Sequence, residues 1–578
     1  MDKKILSGNE AIARGAYECG VKFAAAYPGT PSTEIVANIA KYEEIYAEWS
    51  TNEKVSLEVA IGASLGGIRS LVAMKHVGIN VAADPLYTVA YTGVNGGLVV
   101  ISADDPFMHS SQNEQDNRHT ARAAKIPMLE PSDSQEAKDL LKLAFDISEQ
   151  FDTPVLFRVT TRICHSKGVV KLEDRVEREQ KAYVKNFAKY TILPSNARQR
   201  RLIVEKRTQK LKEYSDNTPV NFMELKDKNI GIITSGISYQ YAKEILPDAS
   251  YLKLGFTYPL PEKLILEFAS KVNKIYVIEE LDPFLEEQIK ALGICVQKTT
   301  IPHIGELNPD LIASAFNVGT CHGMSVSVEI PSRPPVLCAG CPHRGVFAVL
   351  RKLKVHISGD IGCYTLGGYP PLNAIDTCFC MGASIGVAFG MEKAIGDQIQ
   401  NKLVAVIGDS TFMHSGITAL INVVYNKGAN TVCILDNRIT AMTGHQDNPG
   451  TGKTLKGELS KILDLESLVK AIGVESLKVV NPYDFKNLEK TFKEELNKKE
   501  PSVIIARDPC ILLEKTKKHA LYSVNKDVCV KCGTCLNLGC PAITKDTEDG
   551  KSNIDRFLCA GCSLCEQVCP KKAIEINM

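Results

Sequence analysis

Eight of the chain's 19 cysteines fall between Cys529 and Cys569, and they come as two copies of one pattern. The first copy is CVKCGTCLNLGCPAI (529–543) and the second is CAGCSLCEQVCPKKAI (559–574). Each has three cysteines at x2 spacing and a fourth followed by proline. Loops this short cannot wrap an apolar core. They turn their sulfurs onto a common centre, and whatever sits there organises the fold. The opening residues MDKKILSGNE hold no apolar targeting run and no cleavage site, so a cytoplasmic, reducing setting is expected. In such a setting a dense cysteine cluster binds metal rather than forming disulfides.

The second copy has the run C-x2-C-x2-C-x3-C-P and resembles the bacterial ferredoxins, in which the fourth cysteine ligates the other cluster. A short loop reaches three corners of a cubane, and the fourth ligand comes from elsewhere. The resemblance implies one [4Fe-4S] cluster on Cys529, Cys532, Cys535 and Cys569, and a second on Cys540, Cys559, Cys562 and Cys565. The first copy departs from the run, with four residues before Cys540 instead of three. A pair of zinc knuckles, which also use CxxC, is the alternative.

At 578 residues the chain exceeds one hydrophobic core, and about 150 residues per domain suggests roughly four domains. A net charge of +1 with 44% hydrophobic residues argues against disorder and against a polyanion-binding protein. The segment RQRRLIVEKRTQKLKE (198–213) is basic but lacks interleaved aromatics. It reads as a solvated helix in an interdomain linker rather than a nucleic-acid patch. Residues 85–103 are free of charge but carry proline, asparagine and glycines, which suits buried α/β core and not a membrane span.

Upstream, LVAVIGDS (403–410) and TVCILDN (431–437) read as buried parallel strands. The intervening FMHSGITALINVVYNKG has the pattern of a crossover helix with a stop at Gly428. Both polar ends then lie at the carboxyl edge of one sheet, where α/β folds bind ligands. Asp409 and Asn437, 28 residues apart, suit an octahedral Mg²⁺ that also takes diphosphate oxygens. The pattern resembles the thiamine diphosphate motif, Gly-Asp-Gly followed at a distance by Asn. It stands here as Gly408, Asp409, Ser410 and Asn437, with Ile439 as carbonyl donor and Ser410 in place of the usual third glycine.

Further segments extend the resemblance: CAGCPHRG (338–345), SGDIGCYTLG (358–367), TAMTGHQ (440–446), GNEAIARGAYECGVKFAAAYPGTPSTEI (8–35), MKHVGINVAADPLY (74–87) and MHSSQNEQDNR (108–118). Together they resemble the 2-oxoacid:ferredoxin oxidoreductases over nearly the whole chain, most of all the large subunits that act on aryl pyruvates. The implied fold is α/β and multidomain, with thiamine-diphosphate-binding (transketolase-like) parallel-sheet domains and a C-terminal 2[4Fe-4S] ferredoxin-like domain. The implied division is a pyrimidine-binding domain (1–170), a charged linker (171–225), a transketolase C-terminal-like domain (226–332), a diphosphate-binding domain (333–520) and the cluster domain (521–578).

In this family a glutamate hydrogen-bonds the aminopyrimidine ring. The glutamate-then-small-residue-helix pattern points to Glu58 in LEVAIGAS, with Glu53 as its rival. Thr30, in YPGTPS, matches a loop that approaches substrate, and a threonine that only caps a helix is the other reading. Cys338, Cys341, Cys363 and Cys510 occupy places comparable to a third cluster in some relatives, and buried small hydrophobes are the alternative. His76, His109 and Arg118 are candidates for the substrate's carboxylate, with structural roles as the alternative.

The resemblance implies oxidative decarboxylation of an aryl pyruvate such as indole-3-pyruvate. CoA takes the acyl group, and a soluble ferredoxin takes the electrons. No segment looks like the family's gamma-type module, so a smaller beta subunit is expected, in a heterodimer or α2β2 assembly. The rival readings are the same chemistry on pyruvate or branched-chain 2-oxoacids, and an electron-transfer scaffold whose thiamine site has decayed.

Overall fold

Short runs of β-branched and small apolar residues, each followed by glycine or a polar residue, form parallel strands joined by helices. The computed structural model describes residues 2–318, 335–513 and 520–577. The chain forms two compact units, Met1–Ser327 and Val328–Met578. The domain boundary expected at 332/333 lies outside the described residues.

Unit 1 is built on a seven-stranded sheet in the order Phe256–Tyr258, Met128–Leu129, Val155–Thr160, Leu98–Asp104, Ser70–Lys75, Phe23–Ala26, Tyr46–Trp49. Its central strands are buried along their whole length, as strands covered by helices on both faces must be. The edge strand Phe256–Tyr258 comes from the segment expected to be a separate domain and pairs antiparallel with Met128–Leu129. A second sheet, ordered Ile275–Ile278, Asp227–Ser235, Ala249–Leu254, Phe222–Glu224, packs into the same core.

One buried ion network ties these sheets together and a second lies within the first sheet. The Arg118 guanidinium is fully buried and meets Asp116 at 2.5 Å, Glu279 at 2.6 Å and the carbonyls of Glu280 and Asp282. Arg158 meets Asp104 at 2.8 Å and Glu130 at 2.6 Å.

The expectation of a solvated linker helix is corrected here. The helix Pro194–Asn217 forms, but Arg200 and Arg207 on it are buried. Arg200 donates to the carbonyls of Tyr91 and Thr92, and Arg207 to those of Ala90 and Asp152. They cap the carbonyl-rich C-terminus of the helix Ala83–Thr92. Two of its basic residues therefore dock the helix, while Arg198, Lys206 and Lys210 stay exposed.

Unit 2 holds a six-stranded parallel sheet ordered Thr377–Cys378, His356–Gly359, Leu403–Gly408, Thr431–Asp436, Ser502–Arg507, Ser476–Val480. The C-terminal cysteine module packs on it. Tyr483 Oη donates to the Gly340 carbonyl, and Gln567 Nε2 donates to the Tyr483 carbonyl at 2.8 Å. No helix among the described residues is long and apolar enough to cross a membrane.

Candidate active site and electron path

Strand register creates the polar site of unit 2. Gly408 pairs with Leu435, and Asp436 pairs with Arg507. Asp409 and Asp436 therefore leave neighbouring strands side by side at the carboxyl edge. Both are buried. Asp409 Oδ1 accepts from the Ser410 amide at 2.8 Å, and Oδ2 from the Arg438 amide at 3.1 Å. Asp436 accepts from Arg507 Nε at 2.6 Å and lies 3.4 Å from Arg438 Nε. Burial, and then the charge of Asp436, push the Asp409 carboxyl up to about 8.

The loop beyond Asp436 bends sharply. Arg438 holds a left-handed backbone (φ 62°), and the Ile439 amide donates to Asn437 Oδ1 at 3.4 Å. Thr440 Oγ1 donates to Ser410 Oγ at 2.9 Å. A cavity of about 280 Å³ adjoins, lined in part by Asp409, Asp436, Arg438, Gly450 and Arg507. Two buried carboxylates side by side repel one another, and a hard divalent cation would let both ionise. The flanking arginines suit phosphate oxygens. This donor set fits a metal-bound diphosphate.

The crossover after Asp409 opens with a single π-turn, Phe412–Gly416, before the α-helix Ile417–Tyr425. Such turns mark functional positions in helices. Asp360 accepts from the amides of Ile361, Gly382 and Ser384, which pins the SGDIG loop to the start of the helix Ala383–Ile395.

In unit 1 the two glutamates stand in different surroundings. Glu58 lies on the outer face of the helix Glu53–Leu65, 44% exposed, in an ion pair with Lys54. Glu53 is 5% exposed, at the first position of that helix, behind the Asn52 cap. A Cβ on Gly78 would lie 2.7 Å from Glu53 Cγ, so the absence of a side chain there makes room for this carboxylate. Five residues turn the helix by about 140°, so the two side chains cannot share a face. The structure places Glu58 at the surface and its rival Glu53 in the interior.

Thr30 is half-buried in the loop after the strand Phe23–Ala26. Beside it stands Lys75, buried at the carboxyl end of its strand. A Cβ on Gly29 would come 3.2 Å from the Lys75 Cβ. Lys75 Nζ donates to the Ser110 carbonyl at 2.5 Å and to Ser110 Oγ at 3.1 Å, and Ser110 Oγ lies 3.4 Å from the Thr30 carbonyl. Three lysines among the described residues are buried. Lys138 and Lys253 meet carboxylates at 2.6 to 2.7 Å, whereas the nearest to Lys75 is Asp105 at 3.9 Å. Burial pushes the Lys75 ammonium down to about 8.

The three residues considered for the substrate's carboxylate have other partners. His76 is buried, with Nε2 3.1 Å from the Asn113 carbonyl. His109 lies 3.5 Å from Glu306. Arg118 sits in its ion network.

The C-terminal cysteines converge on two cavities. One is lined by Cys529, Cys532, Cys535 and Cys569, the other by Cys540, Cys559, Cys562 and Cys565. Each draws three sulfurs from one repeat and one from the other. Cys338, Cys341, Cys363 and Cys510 also come together, close enough that charge on one thiol raises the pKa of its neighbours. Burial is the larger cause, and it takes Cys341 up to about 12 and Cys363 to about 11. The Cys510 amide donates to the Asn437 carbonyl at 3.0 Å. On the far side, Gly340 packs so tightly on Ala560 that an added Cβ would lie 2.5 Å from the Ala560 Cβ. The four thiols thus stand between the Asp409–Asn437 loops and the C-terminal module.

Reading the residues in sequence missed Asp436 and Lys75. Asp436 was visible as the penultimate residue of TVCILDN, but its pairing with Asp409 depends on register. Lys75, in MKHVG, carries no local signal of its burial.

Three family models match the chain. Residues 14–223 match "Pyruvate flavodoxin/ferredoxin oxidoreductase, thiamine diP-bdg", residues 360–506 the C-terminal TPP binding domain of thiamine pyrophosphate enzymes, and residues 521–570 a 4Fe-4S dicluster domain. The indolepyruvate oxidoreductase subunit IorA of Archaeoglobus fulgidus is 42% identical over 99% of this chain and 97% of its own. The subunits of the same name from Pyrococcus abyssi and Methanothermobacter marburgensis are 42% and 43% identical at the same coverage. With thiamine-binding and dicluster segments in this order and such identity end to end, the chain belongs to the family of indolepyruvate oxidoreductase IorA subunits.

Proposed function

We propose that the chain catalyses ferredoxin-linked oxidative decarboxylation of indolepyruvate and related aryl pyruvates, with CoA as acyl acceptor and a smaller subunit as partner. The observation that carries this reading is the run of groups in unit 2, from the paired carboxylates Asp409 and Asp436, through the four thiols around Cys363, to the two C-terminal cysteine sets. Full-length relatives named as indolepyruvate oxidoreductase subunits support the substrate and the partner chain.

Thiamine diphosphate, when bound, supplies the carbanion that adds to the keto carbon and the electron sink for loss of CO₂. The protein's own groups bind and orient. Asp409, Asn437 and the Ile439 carbonyl hold Mg²⁺, with Asp436 held ready by Arg507 and with Gly408 and Ser410 shaping the turn. The Glu53 carboxyl would hydrogen-bond the aminopyrimidine ring. Lys75 and the Thr30 loop receive the carboxylate of the 2-oxoacid. The eight C-terminal cysteines would hold two [4Fe-4S] clusters, and Cys338, Cys341, Cys363 and Cys510 a third, groups that would supply one-electron transfer toward ferredoxin.

The first test is anaerobic viologen reduction by this chain co-expressed with its small subunit. CoA- and Mg²⁺-dependent reduction is expected with indolepyruvate and phenylpyruvate ahead of pyruvate, lost in Asp409→Ala. A preference for pyruvate discards the aryl assignment, and full activity of Asp409→Ala discards the metal site. Glu53→Gln is expected to lower kcat by roughly 10²–10⁴-fold, the usual worth of a positioned acid–base group, while Glu58→Gln stays within about twofold. The reverse order would restore Glu58.

For Lys75 the sign follows from its lowered pKa. The ammonium is charged below about 8 and neutral above it, so KM for indolepyruvate is expected to climb as pH rises through 8. Lys75→Arg, charged throughout, should hold KM flat over the same range. An unchanged wild-type profile would remove Lys75 from the pocket. Cys510→Ala should lower iron per chain by one cluster's share; iron equal to the wild type would show that these four thiols hold none.

A further inference from the structure

Arg344 is the second residue of the helix His343–Leu353 and is 1% exposed. Its guanidinium donates to the carbonyls of Leu337 at 2.5 Å and Cys338 at 3.0 Å, at the start of the first CxxC loop. It also donates to the Leu538 carbonyl at 2.6 Å, two residues before Cys540. One side chain therefore joins the backbones of two cysteine-bearing loops. Arg344 also lines the cavity shared by Cys540, Cys559, Cys562 and Cys565. Its Nε–H finds no acceptor among the described residues.

The charge of this arginine is the unexplained part. Arg118 and Arg158, equally buried, each meet two carboxylates within 3 Å. Arg344 has only neutral carbonyls as partners among the described residues. A buried cation without a counter-charge costs several kcal/mol. The cavity it shares is walled by Cys540, Cys559, Cys562 and Cys565, whose sulfurs carry negative charge when they ligate metal.

We propose that Arg344 is a positioning residue of the electron path: it clamps the Cys338–Cys341 loop to the C-terminal module and raises the reduction potential of the cluster held by Cys540, Cys559, Cys562 and Cys565. The proposal rests on the reading of those four cysteines as cluster ligands. Reduction adds one electron and one negative charge to the cluster, with no bond made or broken. A fixed cation beside it stabilises the reduced form more than the oxidised one.

The test is potentiometric titration of the holoenzyme followed by electron paramagnetic resonance, with iron measured on each sample. Wild-type iron content and cluster signals test the ligand reading alone. Arg344→Met, with wild-type iron, is expected to shift the cluster on Cys540, Cys559, Cys562 and Cys565 to lower potential by at least tenfold in its reduction equilibrium, about 59 mV, and to leave the cluster on Cys529, Cys532, Cys535 and Cys569 unmoved. The KM for indolepyruvate should be unchanged. Wild-type potentials in Arg344→Met overturn the proposal. Should Arg344→Met lose iron, Arg344→Lys decides. This variant keeps the charge and loses the fork of hydrogen bonds, so a potential near the wild type sustains the electrostatic role and a lowered one overturns it.

Discussion

The juxtaposition of Asp409 and Asp436 is the constraint on which the rest of unit 2 depends. Parallel pairing in one register brings two carboxylates out of adjacent strands into a buried space. Neither can move away without unzipping the sheet. Arg507, one strand further on and in register with Asp436, offsets part of the repulsion, and the amides of Ser410 and Arg438 hold Asp409 from the other side. What remains is a buried carboxyl, Asp409, that the two arginines on Asp436 do not meet among the described residues, and this suits the site to a metal-bound phosphate. The surrounding loops are shaped to it. Tyr364 packs on Gly408 closely enough that a Cβ there would meet its ring at 2.6 Å.

From that site the chain builds outward by direct contact. The Asn437 carbonyl takes the Cys510 amide, and Cys510 joins Cys338, Cys341 and Cys363. Gly340, between the first two of these, rests on Ala560, between two cysteines of the C-terminal module. Glycine is needed at 340 on two grounds, its positive φ of 72° and the lack of space for any side chain. The cysteine sets are thus brought together by a close approach of loops at Gly340 and Ala560 and by side chains that bond backbone carbonyls, Arg344 and Tyr483 among them.

Unit 1 follows a different logic. Its carboxyl edge carries Glu53, Lys75 and the Thr30 loop, and the ion networks around Arg118 and Arg158 are buried in the same unit. The charged helix Pro194–Asn217, docked by its arginines onto a helix C-terminus, closes part of the same unit. Charge that reads as surface along the chain is spent on backbone carbonyls in the fold.

The sequence by itself determined the chemistry that lives on short segments. Cysteine spacing within a loop, the strand-then-Asp pattern of LVAVIGDS and the order of modules are all local, and covalent geometry carries them into any structure the chain adopts. The tertiary structure alone decided what depends on pairing between distant segments. Glu53 and Glu58 share a helix and a composition, and only the packing of Gly78 against one face separates the buried carboxylate from the solvated one. Lys75 looks like any strand-end lysine until the Gly29 and Ser110 loops close over it. Asp436 and the grouping of Cys338, Cys341, Cys363 and Cys510 depend on strand register and loop return. Those are long-range properties: a one-residue slip would leave each segment's sequence intact and scatter the site.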